Sequence, residues 1–255
     1  MEFTNYLSDA NVMQFILLFA RMSGLVAFFP FFNHMRIPMV VKTSVVLFLT
    51  IFLFPYATVI PLNLTLMEFT FAVAMELMLG FMAGLVAYLV FAALEIAGEQ
   101  ISFVMGFTMA SVIDPQTGVN TPLMAQLLMM LALVIFLAFD GHHMLLLFYH
   151  YSLGELPLGG FYPHISLWNY LTNAVVNMFL LGFILSFPVK AISLLSDVIF
   201  GMLMKTMPQF NLLVVGFPIK IMLAYVVMIA VLSEILVMFK KEIIQAIEAL
   251  SFLFY

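Results

Sequence analysis

Cysteine is absent from this chain of 255 residues, so thiolate chemistry is excluded and the redox compartment leaves no mark. Charge is scarce as well. Asp, Glu, Lys and Arg together make up 8% of the residues, where soluble globular chains carry about a quarter. The eight Lys and Arg never cluster and the formal net charge is −5, which argues against nucleic acid as a partner. The opening "MEFTNYLSDA" lacks a basic n-region and a small-residue cleavage site, so no removable signal peptide is expected and targeting falls to the first apolar segment. The motif H-E-x-x-H, a phosphate loop ending in G-K-[ST], and a G-x-S-x-G elbow are all missing. The expectation is therefore no enzyme, no metal and no cofactor.

What is present is overwhelmingly apolar. Hydrophobic residues make up 65% of the chain, with a mean hydropathy of +1.21, and no polar gap is long enough to house a soluble domain. A bilayer crossing takes about 20 residues, and runs of that order fall near 12–32, 39–60, 69–103, 122–150, 171–199 and 211–239. The fold expected is an all-α membrane protein of about six long apolar helical segments, arranged as kinked or broken hairpins. The third run is too long for one simple crossing, and Pro188 and Pro218 interrupt the fifth and sixth.

Two features resist an ordinary six-span reading. Arg21, Lys42, Glu76, Glu95, Glu99, Lys190, Lys220 and Glu234 lie inside apolar runs, where an ionised group costs about 2.5–3.5 kcal/mol even on lenient insertion scales. Such groups face protein, water or each other. The topology also fails to close: Arg36 and Lys42 place the first loop inside, six crossings then put the C-terminus outside, and Lys240 and Lys241 want it inside.

Within the third run, Glu76, Gly80, Gly84, Ala87, Phe91, Glu95 and Glu99 recur every three or four residues and are expected on one helix face. "GFMAG", holding Gly80 and Gly84, is a small-xxx-small pair that admits a neighbouring helix. Glu95 and Glu99 repel at i and i+4, so one is protonated or cations come from elsewhere. Arg21, Lys42, Lys190, Lys220 or a partner subunit can supply them. The prolines repeat a phrase, "SFPVK" at 186–190 and "GFPIK" at 216–220. It fits either two kinked helices with snorkelling lysines or broken helices in a repeated hairpin. In "DGHHMLLLFYH", Asp140-Gly141 is expected to end the fourth helix, with His142, His143 and His150 near its polar edge. The stretch "MGFTMASVIDPQTGVNTP", residues 105–122, stands out by composition. It holds two glycines, two prolines and several polar side chains between apolar runs, and irregular backbone of that kind belongs only beside protein or a water-filled cavity.

Several phrases align in order along essentially the whole chain: "RIP" and "VK" after the first run, "AGEQISFVMGF" with "DP" beyond it, "DGHH", and above all "MPQFNLLVVGFPIKI". Together they resemble the R-component of the flagellar type III protein-export gate, the FliR-like family with its injectisome relatives. The resemblance implies a helical hetero-oligomeric assembly with several P-components and Q-components around one R, much of it above the inner-membrane plane, through which unfolded proteins pass. It implies a single integral-membrane unit over 1–255, P-like over roughly 1–170 and Q-like over roughly 171–255.

A loop that plugs the channel maps by position to Met105, Gly106, Phe107, Met109, Asp114, Pro115 and Gly118. Arg21, Lys42, Glu76, Glu95, Glu99, Lys190 and Lys220 would form an intramembrane charge network or subunit contacts. Gly80, Gly84, Pro188, Pro208 and Pro218 would serve packing and kinks. Further partners implied are the substrate-specificity switch, the large membrane components of the gate and the exported proteins. The place implied is the bacterial inner membrane within the flagellar basal body. The residues alone also fit a stand-alone proton-coupled transporter or channel that uses the intramembrane carboxylates as a relay, or a scaffold subunit in which 105–122 is only a turn.

Overall fold

The computed structural model describes residues 9–29, 31–32, 37–58, 65–107, 122–163, 165–207 and 212–252. Its elements are helices α1 (Asp9–Phe28), α2 (Met39–Leu53) with a 3-10 turn (Phe54–Tyr56), α3 (Leu66–Met105), α4 (Leu123–Ala138), α5 (Gly141–Glu155), α6 (Ile165–Thr206), a π turn (Leu212–Gly216) and α7 (Phe217–Phe252). Five helices are long and apolar enough to cross a membrane, six if α4 and α5 count as one broken span. The all-α membrane architecture expected from the sequence is borne out.

Local chemistry sets the helix ends. Pro38 precedes α2 with φ −57° and ψ 144°, the extended pre-helical geometry that proline favours. Thr65 and Glu68 form a capping box at the start of α3. The Glu68 carboxylate accepts the Thr65 N–H and Oγ1–H, both at 2.8 Å, which satisfies a donor left over at the helix start. At the other end Gly106 takes φ +84° and donates its N–H to Phe103 O at 3.1 Å, a left-handed stop that glycine adopts without strain.

The third run, too long for one simple crossing, is one continuous helix of 40 residues. The fourth run breaks at Asp140-Gly141, as expected, into two helices bent by 61°; Asp140 adopts φ 59°, a left-handed conformation that Asp tolerates better than most residues. One expectation needs correction. Pro188 does not interrupt α6, which runs through it for 42 residues. Near the proline, Ser186 Oγ–H has Gly182 O at 2.9 Å and Phe183 O at 3.0 Å within reach. Pro218, by contrast, lies at the junction where the π turn Leu212–Gly216 runs into α7. The two Pro-x-Lys phrases thus sit in unlike places, one in the middle of α6 and one where a π turn passes into an α-helix. Pro208 lies outside the described residues.

The chain divides into two compact units, one of residues Met1–Leu89, Phe136–Ala174 and Ile243–Tyr255, the other of Val90–Ile135 and Val175–Glu242. In the first, α1 and α3 meet backbone to backbone. A Cβ on Gly80 would stand 2.0 Å from Arg21 O, and one on Gly24 would stand 2.4 Å from Leu77 O. Leu18, Met22, Leu79, Leu145 and Tyr149 fill the space around that contact. In the second unit Gly98 plays the same part, its Cβ position lying 2.3 Å from Ala125 Cα of α4. Met124 N–H donates to Ser102 Oγ at 3.1 Å, so a side chain of α3 caps the start of α4. Phe91 and Phe239 pack edge to face at 4.9 Å.

Candidate functional site

The charges inside the apolar helices resolve into three kinds. The first is a closed, dry network in the first unit. Arg21 and Glu76 are both fully buried. Arg21 Nε donates to Glu76 Oε2 at 2.6 Å and Nη2 to Oε1 at 3.1 Å, the two-pronged geometry that makes guanidinium–carboxylate pairs strong. The remaining donors reach Leu156 O at 3.2 Å and Ser152 Oγ and O at 3.4 Å. Glu76 Oε1 also accepts the Gly159 N–H at 2.8 Å. The pair thus binds α1 to α3 and pins the end of α5 and the turn after it. Tyr149 of α5 adds an O–H bond to Gly80 O at 2.9 Å. The Gly80 and Gly84 backbone approach brings Arg21 and Glu76 to this distance.

The second kind is paired but reaches the surface. Lys220 Nζ donates to both carboxylate oxygens of Asp197 at 2.8 Å, joining α6 to α7 in the second unit. Asp197 is half exposed, at 52%. Lys190 of α6 finds a neutral partner, the Gln100 amide oxygen, which also accepts from Ser186 Oγ at 3.0 Å, and its ammonium lies 4.5 Å from the Phe183 ring centroid.

The third kind has no ion pair among the described residues: Lys42, Glu95, Glu99 and Glu234. The expectation that Glu95 and Glu99 share a face with Glu76 fails here. At about 100° per residue, steps of three and four drift around the helix, so Glu95 stands about 100° and Glu99 about 140° from Glu76. Burial follows that drift. Ala87, Phe91, Leu94, Ala97 and Ile101 continue the buried stripe, while Glu95 is partly covered and Glu99 exposed. Of the cations considered for them, Arg21 is taken by Glu76, Lys220 by Asp197 and Lys190 by Gln100.

Sequence reasoning missed Asp197, Gln100 and Gly24. Asp197 carried the only readable signal, an acid in the apolar stretch that also holds Lys190. Of the expected plug, Met105, Gly106 and Phe107 are described. Met105 is fully buried, Gly106 ends α3, and the Phe107 ring lies 6.2 Å from that of Tyr225 on α7. Met109, Asp114, Pro115 and Gly118 lie outside the described residues. The helix break brings Asp140, His142 and His143 together, each offering a donor atom within 4.8 Å of the others. His143 Nδ1 sits 3.2 Å from Asp140 Oδ1, both side chains are exposed, and the cluster is explained by the turn that Asp140 makes.

Comparison with known proteins gives a consistent result. The model of a family described as bacterial export proteins, family 1, matches residues 12–246. The flagellar biosynthetic protein FliR of Bacillus subtilis (strain 168) is 33% identical over 240 residues, covering 92% of this chain and 92% of that protein. The FliR of Pectobacterium carotovorum is 34% identical over 217 residues, 82% of this chain and 80% of its own length. That of Escherichia coli (strain K12) is 30% identical over 218 residues, with 84% and 82% covered.

Proposed function

This chain belongs to family 1 of the bacterial export proteins, the family of flagellar FliR, and on that premise we propose that it is a core subunit of the type III export gate. It is a multi-pass membrane component of flagellar protein export, and its role is transport, not catalysis. In the finer reading it assembles as a single copy with P-components and Q-components in the inner membrane. There it helps form a channel for unfolded proteins, and the segment beginning at Met105, Gly106 and Phe107 and continuing through Met109, Asp114, Pro115 and Gly118 closes it. Residues 1–170 act as the P-like portion and 171–255 as the Q-like portion.

The observation that carries this reading is the length of exposed apolar helix. The 42 residues of α6 span about 63 Å at 1.5 Å per residue, while a bilayer core is about 30 Å thick. Fitting α6 inside one core would take a tilt of about 60°, beyond the observed range of roughly 0–40°. Large apolar side chains are nevertheless exposed from Ile165 to Met207. Lipid covers at most half of that surface, so neighbouring protein is needed for the rest. A transporter working alone has no such need. Glu95, Glu99 and Lys42, without ion partners among the described residues, fit contacts to other subunits.

The test has two arms. Expressed alone, the chain is expected to be unstable, and co-expression with two further small membrane subunits is expected to rescue it; a well-behaved, substrate-binding monomer or dimer refutes the assembly reading. Deleting residues 108–118 from the assembled complex is expected to make cells leak ions and small solutes, and a deletion that stays sealed reduces the segment to a turn.

A further inference from the structure

The end of α3 comes to rest on the start of α7. Met105 is fully buried, and Gly106 turns the chain with φ +84°. A Cβ built on Gly106 would lie 3.4 Å from Phe217 Cε1, so the turn sits in van der Waals contact with that ring. One residue further on, the Phe107 ring meets that of Tyr225 edge to face, with 6.2 Å between centroids and 64° between planes. All of these residues belong to the second unit.

Phe107 lies beyond the left-handed stop of α3, so the helix no longer dictates where it goes. Its place is set by what it touches, and that is the Tyr225 ring of α7. The seat itself is well held. Lys220, one turn after Phe217, is tied to Asp197 of α6 by two bonds of 2.8 Å. Immediately before Phe217 the chain makes the π turn Leu212–Gly216, a rare geometry that recurs at functional sites. Burial of Met105 is enough to finish the α3 helix. The two rings of α7 add something else, a fixed direction for the chain that leaves it.

We propose that Phe217 and Tyr225 are positioning residues: they clamp Gly106 and Phe107 against α7 and so keep the segment that starts there in its closed place. The clamp rests on the reading of that segment as the closure of the channel, and it names the contact that holds the closure shut.

The test uses cells carrying the assembled gate. Tyr225→Ala is expected to raise the entry of a small impermeant solute by about 2–12-fold, the bias that one edge-to-face pair puts on an equilibrium. Tyr225→Phe keeps the ring and is expected to stay sealed. Phe107→Ala should leak as Tyr225→Ala does, and the two together no more than either, because both remove one contact. A sealed Tyr225→Ala gate, or leaks that add in the double variant, overturns the clamp. Deletion of residues 108–118 separates the two ideas. A deletion that leaks beside a sealed Tyr225→Ala gate refutes the clamp alone, and a deletion that stays sealed refutes the closure beneath it.

A tether supplies a readout that loss of packing cannot imitate. The chain has no cysteine, so Phe107→Cys with Tyr225→Cys gives it a single pair of thiols. Untethered, this pair is expected to leak like the alanine variants. A short, membrane-permeant, reducible thiol cross-linker should then close the leak and stop the export of flagellar proteins into the medium, and a reducing agent should restore export. Each single-cysteine variant, treated alike, should be unchanged by the reagent. Cross-linked gates that still leak or still export overturn the clamp.

Discussion

Replacing Glu76 with alanine tests the buried network most directly. The change leaves the Arg21 guanidinium fully buried without a countercharge, facing only Leu156 O at 3.2 Å and the two more distant Ser152 oxygens. It also orphans the Gly159 N–H. Removing one member of a buried ion pair typically costs about 3–5 kcal/mol, because the survivor stays desolvated and uncompensated. At about 1.4 kcal/mol per decade, that is a loss of more than a hundredfold in the folding equilibrium. Denaturant titration of the chain co-purified with its partner subunits in micelles reads the cost. The double change Arg21→Met with Glu76→Leu removes both charges and keeps the volume, so it is expected to recover most of the loss. Arg21→Lys is not expected to substitute, since three guanidinium nitrogens engage four different acceptor groups from a planar fork that an ammonium does not reproduce. The reasoning is refuted if Glu76→Ala stays within about 1 kcal/mol of the parent, or if the double variant is as unstable as the two single losses added.

Two further perturbations test the backbone geometry. Gly80→Ala places a methyl group 2.0 Å from Arg21 O, backbone against backbone, so α1 and α3 must part; the same titration should show a loss of at least about 2 kcal/mol, and a silent variant refutes the close approach. Gly106→Ala forces alanine into φ +84° and should cost about 1–2 kcal/mol, with Gly106→Asn costing less because Asn enters the left-handed region more readily. Equal effects of Ala and Asn argue against a left-handed stop there.

The architecture was largely legible because a bilayer demands long apolar runs, and composition reports them without tertiary information. Asp140-Gly141 was legible for a similar reason: a polar pair inside an apolar run marks a break. The faces were harder. Spacings of three and four keep side chains aligned for two or three turns, but over the stretch from Glu76 to Glu99 the drift exceeds a right angle. The pattern therefore placed Glu76 with Gly80 correctly and carried Glu95 and Glu99 too far. Pro188 misled in the opposite direction. Proline breaks an isolated helix, yet Leu185, Ser186 and Val189 are buried against neighbours, and packing around the proline keeps α6 continuous. Partner choice was the least legible. Which carboxylate meets Lys220 depends on the crossing of α6 and α7, and nothing local in the sequence encodes the Asp197 contact.

The buried pair also has a birth order. Arg21 and Glu76 are separated by 55 positions along the chain, which at about 5–20 residues per second of synthesis is an interval of roughly 3–11 s. Throughout that interval the first apolar segment carries a cation whose counterion has not yet been made. The nascent first helix is thus a poor membrane resident by itself. Its settling awaits the arrival of α3, and the two enter their final arrangement as a couple. A truncated chain that stops before Glu76 should leave its N-terminal segment loosely held and open to quality-control proteases, whereas one that ends beyond α5 has every partner of the guanidinium on hand.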